Sequence, residues 1–264
     1  MSHNIEKLLS IMTQLREPGT GCPWDLEQDF RSLTRYTLEE AYEVIDVIEH
    51  DKLTELPDEL GDLLFQIIFY SQLGKEAGQF EFSDVVQAIS DKLIRRHPHV
   101  FADENVSNAE EQTRAWEKHK IAERQQKKKS NQEKHYLLDG ISLALPATTR
   151  AIKLQKRAAQ VNFDWPDSDG VVEKIHEELE ELQHAQRVND KNNIAEELGD
   201  LLFSCINLVR HLGEDPETVL RACNARFEQR FKHVEDDLES KGGIKTVSRD
   251  KLELAWQRAK QNLK

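Results

Sequence analysis

The stretch Glu59-Leu60-Gly61-Asp62-Leu63-Leu64-Phe65 recurs residue for residue as Glu197-Leu198-Gly199-Asp200-Leu201-Leu202-Phe203, 138 positions further on. At the same offset an upstream cluster, Glu39, Glu40 and Glu43, returns as Glu177, Glu178 and Glu181. The block from Glu39 to Asp62 therefore maps onto Glu177 to Asp200 without a gap, although residues 47–54 and 185–192 are unlike. Carboxylates and spacing are shared while the filler is not, which marks a duplicated site.

Working outward, apolar residues recur at helical spacing almost everywhere and no period-two strand pattern is present, so the fold class is all-α. Ile5, Leu8, Leu9, Met12 and Leu15 define one face of a first helix, stopped at Pro18-Gly19, with a turn-rich segment from Gly21 to Asp25 behind it. Thr37 and Glu40 have the form of a capping box opening a helix that runs to about His50. Further helices are predicted from Pro57 to about Gly78, from Ser83 to His97 with a break at Pro98, and from Glu110 to Glu123. The polar stretch around Gln125 to Ser130 reads as a connection, giving domains over 1–121 and 137–264 with a linker over 122–136. In the second half, helices are predicted at 147–160, 171–188, 192–213, 216–240 and 249–262, with a turn at 162–169. Two tandem related helical domains result, each built on a carboxylate-bearing helix pair.

Composition narrows the function. The chain has 264 residues, 32% of them charged, and a formal charge of −13. Nucleic-acid binding draws on phosphate neutralisation by Lys and Arg, so this balance argues against a nucleic-acid partner. It is also unfavourable for a triphosphate enzyme unless bound cations invert the local sign. Three cysteines, Cys22, Cys205 and Cys223, form no Cys-x-x-Cys pair and suit a reducing compartment. Residues 1–16 do not resemble a secretory signal, and Leu63 to Tyr70 is too short to span a bilayer. A soluble, cytoplasmic protein with no membrane partner is the expectation.

Residues three or four apart on a helix share a face. Glu40 with Glu43 and Glu59 with Asp62 pair in this way, as do Glu178 with Glu181 and Glu197 with Asp200. Adjacent antiparallel helices would gather four carboxylates in each half, and their repulsion is relieved by a hard divalent cation, Mg²⁺ by default. A single acidic cluster is ordinarily a solvated face; recurrence at identical spacing, directly before apolar runs, favours the metal. Gly61 and Gly199, costly inside helices, suggest a close approach to the backbone. At an offset of 134, Lys92 and Arg96 align with Arg226 and Arg230. These read equally as phosphate-gripping cations or as partners of surface glutamates. Trp116 and Trp256 occupy similar settings on the last helix of each half, and packing is their first reading.

Glu-Glu-x-x-Glu followed at an interval by Glu-x-x-Asp resembles the MazG family of nucleoside triphosphate pyrophosphohydrolases. The resemblance extends to Gly21-Cys22-Pro23-Trp24-Asp25, to Arg95-Arg96-His97-Pro98-His99-Val100-Phe101, and to Val161-Asn162-Phe163-Asp164-Trp165. It implies Mg²⁺-dependent hydrolysis of a nucleoside triphosphate to monophosphate and pyrophosphate, with Mn²⁺ as a substitute, in a homodimer or larger assembly. By position, Glu40, Glu43, Glu59 and Asp62 match metal ligands in the first half, and Glu178, Glu181, Glu197 and Asp200 in the second. Lys174, Arg226, Arg230 and Trp256 match substrate contacts, with Lys92, Arg96 and Trp116 as first-half counterparts. Glu177 and Glu39 are candidates to orient or deprotonate the attacking water. The first half has Tyr36 where the second has Lys174, which inclines catalysis toward the second half. A ferritin-type di-iron bundle would need Glu-x-x-His on two helices, whereas Glu173-His176 and Glu181-His184 lie on one. A non-catalytic interaction module would preserve an overall charge pattern and not four particular carboxylates.

Overall fold

The computed structural model describes residues 2–102, 108, 136–239 and 243–262. Over these the chain forms eleven helices and no strand. It divides into two compact units, 1–131 and 132–264. The predicted helix at 110–123, with Trp116, and almost all of the predicted linker lie outside the described residues.

In the first unit, α1 (Ser2–Leu15), α2 (Pro23–Glu27), α3 (Thr34–Glu49), α4 (Leu56–Glu76), α5 (Phe82–Arg96) and α6 (Pro98–Phe101) follow in order. The core is Met12 of α1, Leu33, and Ile68, Phe69 and Leu73 of α4, ringed by Leu8, Leu9, Leu15, Leu64 and Phe65. Arg16 staples this core from the side. Its guanidinium donates to Glu76 at 2.6–3.1 Å and to the Asp25 and Gln28 carbonyls, while its Cζ lies 5.5 Å from the centre of the Phe69 ring.

Two local expectations change. Helix α3 begins at Thr34 rather than Thr37, and Leu33 caps it without a side-chain bond. Thr37 lies inside the helix, where its Oγ1 donates to the Leu33 carbonyl at 3.1 Å and lies 2.9 Å from the Tyr70 hydroxyl. Winding starts earlier, where Asp29 Oδ1 accepts from the backbone N–H groups of Arg31 and Ser32 at 2.8 and 2.7 Å. With α3 already wound from Thr34, the N–H groups after Thr37 lie beyond the orphan donors of the helix start and leave Thr37 none to cap. A capping box does form, but at α5, between Glu81 and Asp84. The turn-rich segment after Gly21 contains the single-turn α2, and Pro98 opens the single-turn α6 instead of simply ending α5, because proline tolerates a first helical position.

In the second unit, α7 (Ala147–Ala159), α8 (Ser168–Val188), α9 (Lys191–His211), α10 (Pro216–Glu239) and α11 (Arg249–Asn262) fall close to the predicted spans. The α8–α9 hairpin closes in two residues. Asn189 takes the left-handed conformation (φ 56°), and Asp190 caps α9 by accepting from Asn192 and Asn193 N–H. Val234, Leu238, Ala255 and Ala259 form a core between α10 and α11. Asp164 ties the segment before α8 to the end of α9, accepting from Arg210 Nη2 at 2.5 Å and His211 Nε2 at 3.0 Å. Burial opposes ionisation of Asp164, yet these two donors outweigh it and hold the carboxyl below its ordinary 3.8.

Candidate carboxylate site in each half

In the first half, α3 and α4 bring carboxylate oxygens of Glu40, Glu43 and Glu59 within 4.8 Å of one another. Asp62 stands outside that trio, exposed, one helical turn past Glu59. In the second half, Glu178 of α8 and Glu197 and Asp200 of α9 converge within the same limit, and Glu181 is the outlying member. Three of four expected carboxylates thus meet in each half, with a different one set apart.

The electrostatics carry the signature of crowded acids. The Glu40 carboxyl is raised above 4.5 by burial first and then by Asp62 and Glu43, and Glu59 is raised by burial and by Glu43 and Asp62. Glu197 is raised likewise, by burial, then Glu181, Glu178 and Asp200. The outlying Asp62 and Glu181 thus still oppose ionisation of Glu40, Glu59 and Glu197.

The halves neutralise this charge differently. Glu178 is only 4% exposed, and Lys174 one turn earlier places Nζ 2.8 Å from both its Oε1 and that of Glu177. Those two carboxylates, Glu177 first, raise the Lys174 ammonium well above the ordinary lysine value. In the first half Tyr36 fills that position. The Arg35 guanidinium lies over its ring at 4.5 Å and donates to its hydroxyl, and the Trp24 ring approaches it edge-on at 5.4 Å. Glu40 instead receives a long hydrogen bond, 3.4 Å, from Nε2 of the buried Gln66.

These donors fit a hard divalent cation. All are oxygens, and two ligands of one such ion, each about 2.0–2.6 Å from it, sit about 3–5 Å apart, as the carboxylate oxygens do. A buried amide oxygen without a partner, Gln66 Oε1, adjoins the first group.

The remaining sequence candidates fall on other helices. Arg226 and Arg230 lie on α10, the first exposed and the second half-buried, and Arg230 buries an Nε without a hydrogen-bond partner. Trp256 is half-buried beside the α10–α11 core, its ring 5.3 Å from that of Phe227, so packing is part of its role. Lys92 is exposed on α5 and Arg96 half-buried at its end; Glu39 is exposed. Among the described residues none makes the close approach expected at Gly61 and Gly199, since a Cβ added at either would meet no heavy atom within 4 Å. Gln66 was missed. Its signal was available, because it is the lone polar residue between Leu63 and Tyr70 and stands seven positions after Glu59.

The helix-pair fold is that of an all-α nucleotide pyrophosphohydrolase. Residues 28–101 match the family model described as the MazG nucleotide pyrophosphohydrolase domain, and residues 146–227 match that of phosphoribosyl-ATP pyrophosphohydrolase. The chain is 47% identical to the nucleoside triphosphate pyrophosphohydrolase of Escherichia coli (strain K12), over 98% of each chain. It is 41% identical to the nucleoside triphosphate pyrophosphohydrolase/pyrophosphatase MazG of Thermotoga maritima, over 97% of this chain and 95% of that one. A nucleoside triphosphate pyrophosphohydrolase of Mycobacterium tuberculosis is 34% identical over 60% of this chain and 46% of its own length. This chain belongs to the MazG family.

Proposed function

We propose that this chain hydrolyses nucleoside triphosphates to the monophosphate and pyrophosphate, with Mg²⁺ as its cofactor and the second half as the principal catalytic site. The observation that carries the reading is the convergence of Glu178, Glu197 and Asp200 across α8 and α9 beside a lysine. Pyrophosphohydrolase is also the activity named for the family model and for the long-range relatives.

Mg²⁺ held by Glu178, Glu197 and Asp200, with Glu181 alongside, would offset the charge of the triphosphate and lower the pKa of a bound water. The chain's own groups do the rest. Glu177, whose carboxylate pairs with Lys174 Nζ at 2.8 Å, would orient or deprotonate the attacking water. Lys174, Arg226 and Arg230 bear the positive charge that a departing pyrophosphate requires. Trp256, packed on one side against Phe227, offers its remaining surface to a base or ribose. In the first half Glu40, Glu43 and Glu59 would hold a cation with Asp62 alongside, with Lys92 and Arg96 toward phosphate, Glu39 as the equivalent of Glu177, and Trp116 as the counterpart of Trp256.

Nothing in the donor set selects a base, so the substrate range is broad and includes deoxy and non-standard nucleotides. Self-association as a homodimer is part of the same reading. It is supported by α5, which buries no residue and carries Val86, Ile89, Leu93 and Ile94 at 44–52% exposure. No described helix is long and apolar enough to cross a membrane, and a cytoplasmic setting is consistent with the cysteine usage. The domain limits 1–121 and 137–264 remain part of the proposal.

The test is incubation of the purified chain with mixed nucleoside triphosphates, with and without Mg²⁺, resolving every product. Monophosphate and pyrophosphate appearing only with metal is the expected result. Diphosphate and phosphate, or no turnover with Mg²⁺ or Mn²⁺, would overturn it.

A further inference from the structure

On α4, Glu59, Asp62 and Gln66 stand at i, i+3 and i+7, so one helix face carries two carboxylates and an amide. Gln66 is 5% exposed, its Nε2 is 3.4 Å from Glu40 Oε1, and its Oε1 is buried with no hydrogen-bond partner. A buried carbonyl oxygen left without a partner is unfavourable, and such oxygens are rare unless something takes them.

Resting on the cation reading of the carboxylate groups, we propose that Gln66 Oε1 is an additional, neutral ligand of the divalent cation held by Glu40, Glu43 and Glu59. Amide oxygens are ordinary hard donors to Mg²⁺, Mn²⁺ and Ca²⁺. The terminal amide torsion is broad and roughly two-fold, so the group that donates to Glu40 can turn its oxygen to an ion seated on the same carboxylate. The corresponding position in the second half is Ser204, also buried but too short to do the same. The two ions would therefore be held differently. In the first half the amide would take a place left to water in the second, so the first ion would carry one more protein ligand than the one beside Lys174. A site filled by protein ligands holds metal, and one that keeps a position open leaves room for chemistry.

Mn²⁺ titration of the full chain, followed by electron paramagnetic resonance of the free aqua ion, tests this. Changing both Glu178→Gln and Glu197→Gln first confines the measurement to the first half. Gln66→Leu, isosteric enough to preserve the core as checked by thermal melting, should then weaken Mn²⁺ binding about tenfold, the order expected for losing a supporting group. Gln66→Glu should retain or tighten it, because a ligand oxygen is kept and charge is added. Unchanged affinity in Gln66→Leu overturns the proposal. So does equal weakening by both substitutions, the result expected if Gln66 only donates to Glu40. A chain that binds no Mn²⁺ before Gln66 is altered would sink the cation reading itself and this inference with it.

Discussion

The two helix pairs share a ladder of carboxylates at identical spacing yet reach it by different routes. Between α3 and α4 the chain takes six residues to turn, with Asp51 left-handed (φ 55°) and Pro57 at the start of the next helix. Between α8 and α9 it takes two, because Asn189 supplies the left-handed residue and Asp190 the cap. Glu59 therefore sits in the first turn of its helix, while Glu197 lies in the second turn of a helix of the same length. Neutralisation differs as well. A charged ammonium, Lys174, faces the most buried acid of the second half, whereas a neutral amide, Gln66, faces Glu40 in the first. Spacing of acids defines where a cation can sit; what lies beside them decides whether a phosphate can join it.

The contrast is sharpest at Lys174. Replacing it with Met should leave the fold intact but lower kcat about 100-fold, the usual scale for one electrostatic contact to the reacting group, read by steady-state kinetics. Substituting Tyr36 should change the rate by less than about threefold. A loss at Tyr36 equal to that at Lys174 would erase the distinction between halves. Next in size is Arg16, whose side chain is 9% exposed and holds α1, α2 and α4 together. Arg16→Met should cost about 2 kcal/mol by denaturant unfolding, with the half-exposed Glu76 limiting the loss. Smaller again, Gly61→Ala and Gly199→Ala should each stabilise by about 0.5–1 kcal/mol, since both positions are helical with open space around them. Activity lost only in Gly199→Ala would mean that substrate passes over α9.

The smallest effect is on pH dependence. The Arg16 hydrogen bonds, foremost, hold Glu76 below 4.5. The native state then binds fewer protons than the unfolded chain, so this stabilisation is present above pH 4.5 and is lost as pH falls through the lowered native value. Glu40, Glu59 and Glu197 are raised and act in the opposite sense, weakening the metal-free protein as pH rises from 4.5 through their native values. Melting curves across pH should show the acid limb flattened in Glu76→Gln.

Much of this could be read in the sequence because its signals are periodic. The duplicated Glu-x-x-Asp before an apolar run fixed which helices pair, and helix limits in the second half fell within about three residues. The errors came from groups whose partners are distant in sequence. Thr37 and Glu40 match a capping box, but the chain is already helical from Thr34. Asp62 and Glu181 fit the helical face yet stand outside their trios, because side-chain reach across two helices is not encoded in spacing along one. Gln66 joins the site only when α3 and α4 meet, and the Arg16 and Asp164 anchors depend on contacts 46 to 60 positions apart.

The most direct test of the account is kcat for Glu197→Gln and Glu59→Gln, measured side by side on one nucleoside triphosphate with Mg²⁺. Glu197→Gln should fall by about 1,000-fold while Glu59→Gln stays within about threefold of the unaltered chain. Turnover that survives Glu197→Gln and disappears in Glu59→Gln would contradict the assignment of catalysis to the second half.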